Sequence, residues 1–465
     1  MSKHVDTAII GGGPGGVPAA LFLLSKGKSV CLFEKSGHLG GTCLFEGCIP
    51  SKIFIESAKR FTSLGKMAHF GIEVGSKFSI NWDKVLERKE DILMRRSGGA
   101  LANLQKFPEF TFIPCEAKLA GSNMIEYLYD GEKGTLEAKN IILATGSVSF
   151  IPPIEGINLA ITSEELLSID HILESMVIIG AGPIGIEAAT MFSQLGTKCI
   201  IIEMLERVLS NVDAEVAGFL EEKLKDDERI NVFTAGKVVS ISEDSTQKEV
   251  KFEHKGEVKS VKAEVVLVCV GRRPNVKGLG LEEAGVEFDS KGIKVNEFLQ
   301  TSQEGIYACG DVIGRYMYAH TSTYEGLVCA KNILTGNRVK LNYSYPPAGL
   351  VFSEPEIAAC GLTEDEVKKQ NLDCVCEKYP YKIDARAQVA ESAEGFIKFV
   401  VDKKTHKILG AHIIGPDASN TISEAALIVK LAVTLEQLAD TIHPHPSLSE
   451  GMGILAKQML AKITR

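Results

Sequence analysis

The chain has 465 residues, eleven cysteines and a formal net charge of −9. That length calls for several domains of ~100–200 residues each, and the acidic balance argues against a nucleic-acid partner, which needs a basic stripe. An odd number of cysteines spread over a long chain does not make a secreted disulfide framework, and no apolar run reaches the ~18 residues that cross a membrane, so the expectation is a cytoplasmic protein without a membrane partner.

In chain order, 5–10 reads as a buried strand, Gly11-Gly12-Gly13-Pro14-Gly15-Gly16 as a tight turn, 17–25 as a helix and 29–34 as a second strand ending in Glu34. The first strand follows only Lys3 and His4 and runs straight into glycines, unlike a targeting sequence. The same succession returns at 176–179, Gly180-Ala181-Gly182-Pro183-Ile184-Gly185, 186–195 and 198–203. In each copy an acid, Glu34 or Glu203, stands 23 positions after the first glycine, close to the ~20 of a dinucleotide-binding βαβ unit. Gly11 and Gly180 make the turn, Gly13 and Gly182 admit a pyrophosphate, and Gly16 and Gly185 let helix pack on strand. The phosphates then meet a helix N-terminus, and the acids accept from ribose hydroxyls. A carboxylate at Glu203 repels a 2′-phosphate and Arg207 is a single cation, which favours NAD over NADP.

Directly after the first unit comes Gly40-Gly41-Thr42-Cys43-Leu44-Phe45-Glu46-Gly47-Cys48-Ile49-Pro50-Ser51-Lys52. Five residues rotate an ideal helix by about 140°, so the two sulfurs meet only if the segment is distorted, which Gly47 and Pro50 permit. A bent, exposed, electropositive thiol pair suits thiol–disulfide chemistry. Two packed, unpaired cysteines, or half of a zinc site completed by His38, are the alternatives these residues leave open.

Beyond Glu203, strands and helices alternate to about residue 270, with a charged amphipathic stretch over 213–229. Residues 265–270 form a buried strand closed by Gly271-Arg272-Arg273-Pro274-Asn275, a domain boundary. A short strand over 305–312 ends in Gly310-Asp311, and Pro346-Pro347 marks a linker before a mixed β-and-α segment. Cys374 and Cys376 share a strand face and read as packing. His38, His69, His254 and His406 read as surface residues. His443 and His445 lie in a proline-rich octapeptide ending in Glu450: a packed turn, a two-histidine metal site, or a base with its orienting acid.

Taken in order, these motifs resemble the flavin-dependent pyridine nucleotide–disulfide oxidoreductases over nearly the whole chain, and within them the members that oxidise dihydrolipoamide. The resemblance rests on the first glycine motif with Glu34, the 43–52 block, Ala144-Thr145-Gly146-Ser147, the second motif with Glu187 and Glu203, 271–275, Gly310-Asp311 and 443–450. It implies an α/β fold with two Rossmann-like dinucleotide-binding domains, for FAD and NAD, plus a C-terminal α+β dimerisation domain. The corresponding division is 1–150 for FAD, 151–275 for NAD, 276–345 as a central domain completing the FAD site, and 346–465 as the interface domain.

The resemblance assigns FAD to the first motif with Lys35, Gly41, Thr42, Ala117, Thr145, Gly146 and Ser147. Asp311 would contact the ribityl chain, with Met317, Ala319 and His320 nearby, and Lys52 paired with Glu187 would flank the isoalloxazine ring. NAD falls to the second motif, Glu203, Val238 and Gly271. Cys43 would face substrate and Cys48 the flavin, as one redox-active disulfide. His445, oriented by Glu450, would be the acid–base group supplied to the partner's disulfide in a homodimer, and no metal is implied. The implied reaction oxidises protein-bound dihydrolipoamide with reduction of NAD, on a lipoyl domain of a 2-oxoacid dehydrogenase or glycine-cleavage complex. An NAD(P)H-dependent reductase of another disulfide, resembling glutathione or mercuric reductase, is the rival; Glu203 and a C-terminus without a cysteine pair count against it. The chain departs from the pattern at Pro18, Leu44-Phe45-Glu46, Ala117, Thr321 and Pro446-Ser447.

Overall fold

The duplicated motif builds two sheets, the first mixed and the second all parallel, in a computed structural model that describes residues 3–75 and 77–463. In the first module, β1 (Lys3–Ile10) leads into the Gly11 turn, α1 (Gly16–Leu24) follows, and β2 (Val30–Phe33) returns parallel to β1. All four residues of β2 are buried, as expected of a parallel strand covered on both faces. Pro18 falls in the first turn of α1, where the missing N–H has no intrahelical partner to lose. Next come α2 (Gly41–Phe45), α3 (Cys48–Leu64) and α4 (Trp82–Leu104), the last capped by the Asn81 side chain on Lys84 N. Strands β3 (Phe110–Ile113), β4 (Ala117–Leu119), β5 (Met124–Tyr129) and β6 (Glu132–Leu143) complete the order β3-β2-β1-β6-β5-β4.

The chain leaves through β7 (Ser147–Ser149) and the short α5 (Ser163–Leu166) into the second copy: β8 (Ser175–Ile179), α6 (Pro183–Gln194), β9 (Lys198–Ile202), α7 (Ala214–Asp226) and β10 (Ile230–Phe233). An antiparallel meander, β11 (Gly236–Glu243), β12 (Lys248–His254) and β13 (Glu257–Ala263), precedes β14 (Val265–Val268). The second sheet runs β10-β9-β8-β14. The return crossing, β15 (Arg272–Pro274), pairs antiparallel with the outgoing β7, so the 271–275 motif lies where the chain passes back between modules.

The segment after this crossing shares the core of the first module. Past the small hairpin of β16 (Phe288–Asp289) and β17 (Gly292–Ile293), β18 (Ile306–Ala308) joins β6 as a seventh, parallel strand of the first sheet. Leu281, Leu299, Val312 and Val328 sit in one apolar cluster with Ile9, Leu23 and Ile142. Helix α8 (Ala319–Thr335) lies on α1 so closely that a Cβ on Gly326 would stand 2.1 Å from the Gly15 carbonyl oxygen. Thr321 is buried in its first turn, donating to the carbonyls of Tyr316 and Tyr318.

The remaining chain forms an antiparallel sheet, β19-β20-β23-β22-β21, from β19 (Gly349–Val351), β20 (Glu356–Gly361), β21 (Cys374–Pro380), β22 (Phe396–Asp402) and β23 (Ile408–Gly415). Helices α9 (Glu364–Lys369), α10 (Ala385–Val389), α11 (Ala418–Lys430), α12 (Leu435–Asp440) and α13 (Glu450–Ile463) complete it. Lys398, 1% exposed, joins this domain to the second module, reaching Asp213 at 3.0 Å, Glu215 at 2.8 Å and Glu364 at 2.7 Å. Two histidines read as surface residues are otherwise placed: His254 packs edge-on to Phe233 at 5.5 Å, and half-buried His406 bonds Glu436. Among the described residues, no helix is long and apolar enough to cross a membrane.

Candidate active site

The two glycine turns have the same geometry. Gly11 and Gly180 take φ of 110° and 106°, backbone that side chains rarely adopt. A Cβ on Gly16 would stand 1.9 Å from Gly11 O, and one on Gly185 2.1 Å from Gly180 O, so the third glycine of each motif is dictated by helix–turn contact. The middle glycines face open space: a Cβ on Gly13 meets nothing nearer than Gly41 Cα at 3.8 Å, and one on Gly182 nothing within 4 Å. That leaves room for a pyrophosphate before the N-termini of α1 and α6, and the residues present fit the group. The duplication extends to the acids. Glu34 accepts from Gly12 N at 2.8 Å and Ser36 N at 3.0 Å, while Glu203 accepts from Ala181 N at 2.6 Å and Leu205 N at 2.8 Å. Each carboxylate thus braces its own turn and keeps lone pairs for a ribose. Arg207 spends its guanidinium on the carbonyls of Ser210 and Val212.

A cavity of about 960 Å³ extends from the first turn to the face of α6. Gly11, Gly13, Glu34, Lys35, Gly41, Thr42, Cys43, Cys48, Lys52 and Ala117 line it, with Thr145, Gly146, Ser147, Glu187, Asp311, Met317 and Ala319. The helix through the cysteines breaks as its sequence suggests: α2 stops at Phe45 and α3 starts at Cys48. His38 sets its ring 5.6 Å from Phe45. The two cysteines are unbonded thiols polarised in opposite directions. The hydrogen bond from Cys43 brings Cys48 down to about 7 against the cost of burial, with Lys52 assisting. The same hydrogen bond, then burial, pushes Cys43 up. Cys48 is also the first residue of α3, where helix N–H groups favour a thiolate.

Two networks frame these thiols. Lys52 Nζ pairs with Glu187 at 2.8 Å and lies 4.5 Å from the Phe352 ring, and Glu187 accepts from Phe352 N at 3.0 Å; one ion pair thereby ties α3, α6 and the C-terminal domain together. On the opposite wall Asp311 accepts from Ser147 Oγ at 2.6 Å, and Ser147 Oγ accepts from Arg272 Nε at 2.8 Å. Arg272 also pairs with Glu164 at 2.8 Å, holding that carboxyl below its usual range against burial. Thr145 Oγ1 donates to Asn275 O at 3.1 Å. Two motifs read separately from the sequence are therefore pinned to each other. The sequence reading missed Glu164, which sits in no motif, and Glu325, a fully buried carboxyl raised by burial to about 6 that accepts from Gly310 N at 2.5 Å.

Other expected site residues lie away from the cavity. Gly16, Gly180, Gly182, Gly185, Glu203 and Gly271 belong to the turns and the crossing. Val238 is buried among Ile241, Val250 and Phe252, which leaves only its backbone for a ligand. His320, in the first turn of α8, stacks on Tyr318 at 5.3 Å. The octapeptide separates its two histidines: His443 is 7% exposed and bonded to Glu424 at 2.8 Å, whereas His445 is 70% exposed with Nδ1 2.9 Å from Glu450. The hydrogen bonds from His445 and Ser447 N hold Glu450 below the usual carboxylate range despite its partial burial. His445 does not line its own chain's cavity.

Residues 5–326 match the pyridine nucleotide-disulphide oxidoreductases, and 347–456 match the dimerisation domain of that family. The chain belongs to this family. It is a flavoprotein disulfide oxidoreductase and a homodimer, with FAD and NAD as its cofactors. It is similar to a dihydrolipoyl dehydrogenase of Bacillus subtilis, 35% identical with 97% of each chain covered, and to one of Geobacillus stearothermophilus, 35% identical with 96% and 94% covered. Among solved structures it is similar to a Cu(II) complex of the HOCl-induced flavoprotein disulfide reductase RclA from Escherichia coli. There the TM-score is 0.88 at 25% identity, with 98% and 100% covered. The oxidoreductase thus carries its dithiol, the Lys52–Glu187 pair and the first nucleotide turn around one cavity.

Proposed function

We propose that this oxidoreductase oxidises protein-bound dihydrolipoamide to lipoamide and reduces NAD, in the cytoplasm, on the lipoyl domain of a 2-oxoacid dehydrogenase or glycine-cleavage complex. The observation carrying the reading is the placement of the dithiol: Cys43 and Cys48 line one cavity with the Lys52–Glu187 ion pair, and the hydrogen bond from Cys43, with Lys52 assisting, lowers the pKa of Cys48. The names of the bacillary relatives point the same way.

Bound FAD supplies two-electron exchange between the dithiol and NAD. Glu450 holds His445 Nδ1, leaving Nε2 free to take a proton from a substrate thiol. That thiolate attacks Cys43 of the oxidised pair; a substrate–Cys43 disulfide forms and Cys48 leaves as a thiolate. Attack by the second substrate sulfur closes lipoamide and returns its electron pair to Cys43, which takes up the second proton. Two thiol protons are accounted for, one on His445 and one on Cys43. Lys52 and the N-terminus of α3 stabilise the Cys48 thiolate. The exposed His445, outside its own chain's cavity, supports its delivery to the partner's dithiol. The fourfold division at residues 150, 275 and 345 belongs to the same reading, supported by the β7–β15 crossing.

The likeness to a disulfide reductase favours one alternative, reduction of another disulfide at the expense of NAD(P)H. Purified enzyme separates the two. NADH formation with dihydrolipoamide is expected, without NADPH-driven reduction of glutathione disulfide. No activity toward dihydrolipoamide, or a preference for the second reaction, would overturn the proposal.

A further inference from the structure

A carboxylate behind the Gly310-Asp311 turn takes no part in the mechanism above. Glu325, on α8, is fully buried and divides its two oxygens between different segments of the chain. Oε2 accepts from Gly310 N at 2.5 Å, and Oε1 accepts from the Tyr343 hydroxyl. Gly310 holds a φ of 77°, and a Cβ there would stand 2.9 Å from Oγ of Ser322, which is also on α8. The turn is therefore pressed against the helix with its N–H directed at the carboxylate. The next residue, Asp311, lines the cavity beside Ser147, from which it accepts. Tyr343 lies edge-on to Tyr316 at 5.1 Å and precedes Pro346 and Pro347, where the chain rejoins the cavity wall on its way to the C-terminal domain. One carboxylate thus joins α8, the Gly310-Asp311 turn and the linker.

We infer that Glu325 is a positioning residue for FAD: its ionised carboxylate fixes the Gly310-Asp311 turn against the cavity, and protonation of that carboxylate loosens the turn and speeds release of the flavin. A carboxylate only accepts, and both of its partners here are donors, so each bond is charge-assisted. Once protonated, the group must set its own O–H against the Gly310 N–H or the Tyr343 O–H. Burial brings this titration within reach, raising Glu325 to about 6 against the lowering by the hydrogen bonds from Tyr343 and Gly310. The other groups facing it keep their state near that pH. Arg315 lowers Glu325 and Asp311 raises it, burial and Glu325 itself hold the proton on Tyr343, and burial does the same for Cys329, further along α8. Helix α1, packed on α8, brings no titratable side chain. The holding form therefore prevails above about 6 and is lost as pH falls through that value. The inference needs FAD but not the substrate assignment, so failure of the dihydrolipoamide reading would leave it standing.

The test is release of FAD from diluted holoenzyme, followed by the rise in flavin fluorescence at a series of pH values. Wild type should release flavin about fivefold or more faster at about pH 5 than at about pH 7, which is the margin between charged and neutral hydrogen bonds. Glu325→Gln keeps an acceptor for Gly310 N and offers an amide N–H to the Tyr343 oxygen but cannot titrate. Its release should stay within about threefold of wild type at about pH 7 and remain level down to about pH 5. Glu325→Ala should release flavin about tenfold faster at neutral pH. Tyr343→Phe deletes a donor that lowers Glu325, so the midpoint of its release profile should move to higher pH. A wild-type profile parallel to that of Glu325→Gln overturns the inference, and any loss of fold at low pH common to both proteins cancels in that comparison. Release at the wild-type rate from folded Glu325→Ala also overturns it, as does a Tyr343→Phe midpoint no higher than in wild type. If the alanine variant does not fold, the glutamine comparison and the Tyr343→Phe midpoint decide.

Discussion

Replacing Cys43 with alanine deletes the S–H that donates to Cys48, the largest of the influences holding Cys48 at about 7. A thiol at that value is about half ionised at pH 7, whereas one at the ordinary 9.0 is about 1% ionised, since each unit is tenfold. The alanine variant should fall between these limits, because Lys52 and the N-terminus of α3 still favour the thiolate. Serine keeps a donor at the same place, so Cys43→Ser should stay close to wild type. Lys52→Met removes a smaller contribution and should lie between serine and alanine. The assay is the pH dependence of iodoacetamide alkylation at Cys48 in reduced, flavin-stripped protein, followed by peptide mass. Because the folded value is depressed, reactivity persists down to about pH 7 in wild type and is lost at higher pH in the alanine variant. A Cys48 midpoint in Cys43→Ala no higher than in wild type would refute the assignment of the depression to the thiol–thiol hydrogen bond.

The other predictions concern the nucleotide, the histidine and the domain junction. Wild type should prefer NAD to NADP by at least about tenfold, since opposing like charges cost several kcal/mol, and Glu203→Ala should narrow the gap in kcat/KM because Arg207 is tied to backbone carbonyls; an unchanged ratio would remove Glu203 from nucleotide choice. His445→Gln should lower dihydrolipoamide turnover by about 10²- to 10⁴-fold with flavin retained. Mixing it with Cys43→Ser should restore activity in verified heterodimers that keep one intact Cys43 opposite one intact His445, and no recovery there would mean that His445 does not serve the partner's dithiol. Lys398→Met leaves Asp213 buried without its cation and should cost ~3–5 kcal/mol in denaturant unfolding, part of which Lys398→Met combined with Asp213→Leu regains. Hydrogen bonds from Lys368 and Lys398 hold Glu364 at about 2 against 4.5, so its contribution is complete above pH 4.5 and is lost as pH falls toward 2. Acid-unfolding curves should lose part of that slope in Lys398→Met.

What the sequence determined by itself is what short spacing encodes. A strand, a turn that only glycine can make, a helix and an acid at fixed distance are all local, which is why both nucleotide units were legible, down to the third glycine that a Cβ would drive into the turn carbonyl. The break between Cys43 and Cys48 was legible for the same reason: helix rotation and two breaker residues lie within one turn of each other. Partners separated by a hundred residues or more were decided by tertiary packing. Nothing local marks Glu164 as the acid that Arg272 takes, or Lys398 as a fully buried cation between three carboxylates. The seventh strand, β18, is too short to announce its sheet, and it joins β6 because Leu281, Leu299 and Val328 need the same apolar core as β1 and α1. His443 and His445 sit in identical His-Pro pairs, so only the positions of Glu424 and Glu450 around the folded octapeptide bury one and expose the other. A residue's type and spacing specify its backbone, but its charge state and reach depend on what the rest of the chain brings within a few ångströms of it.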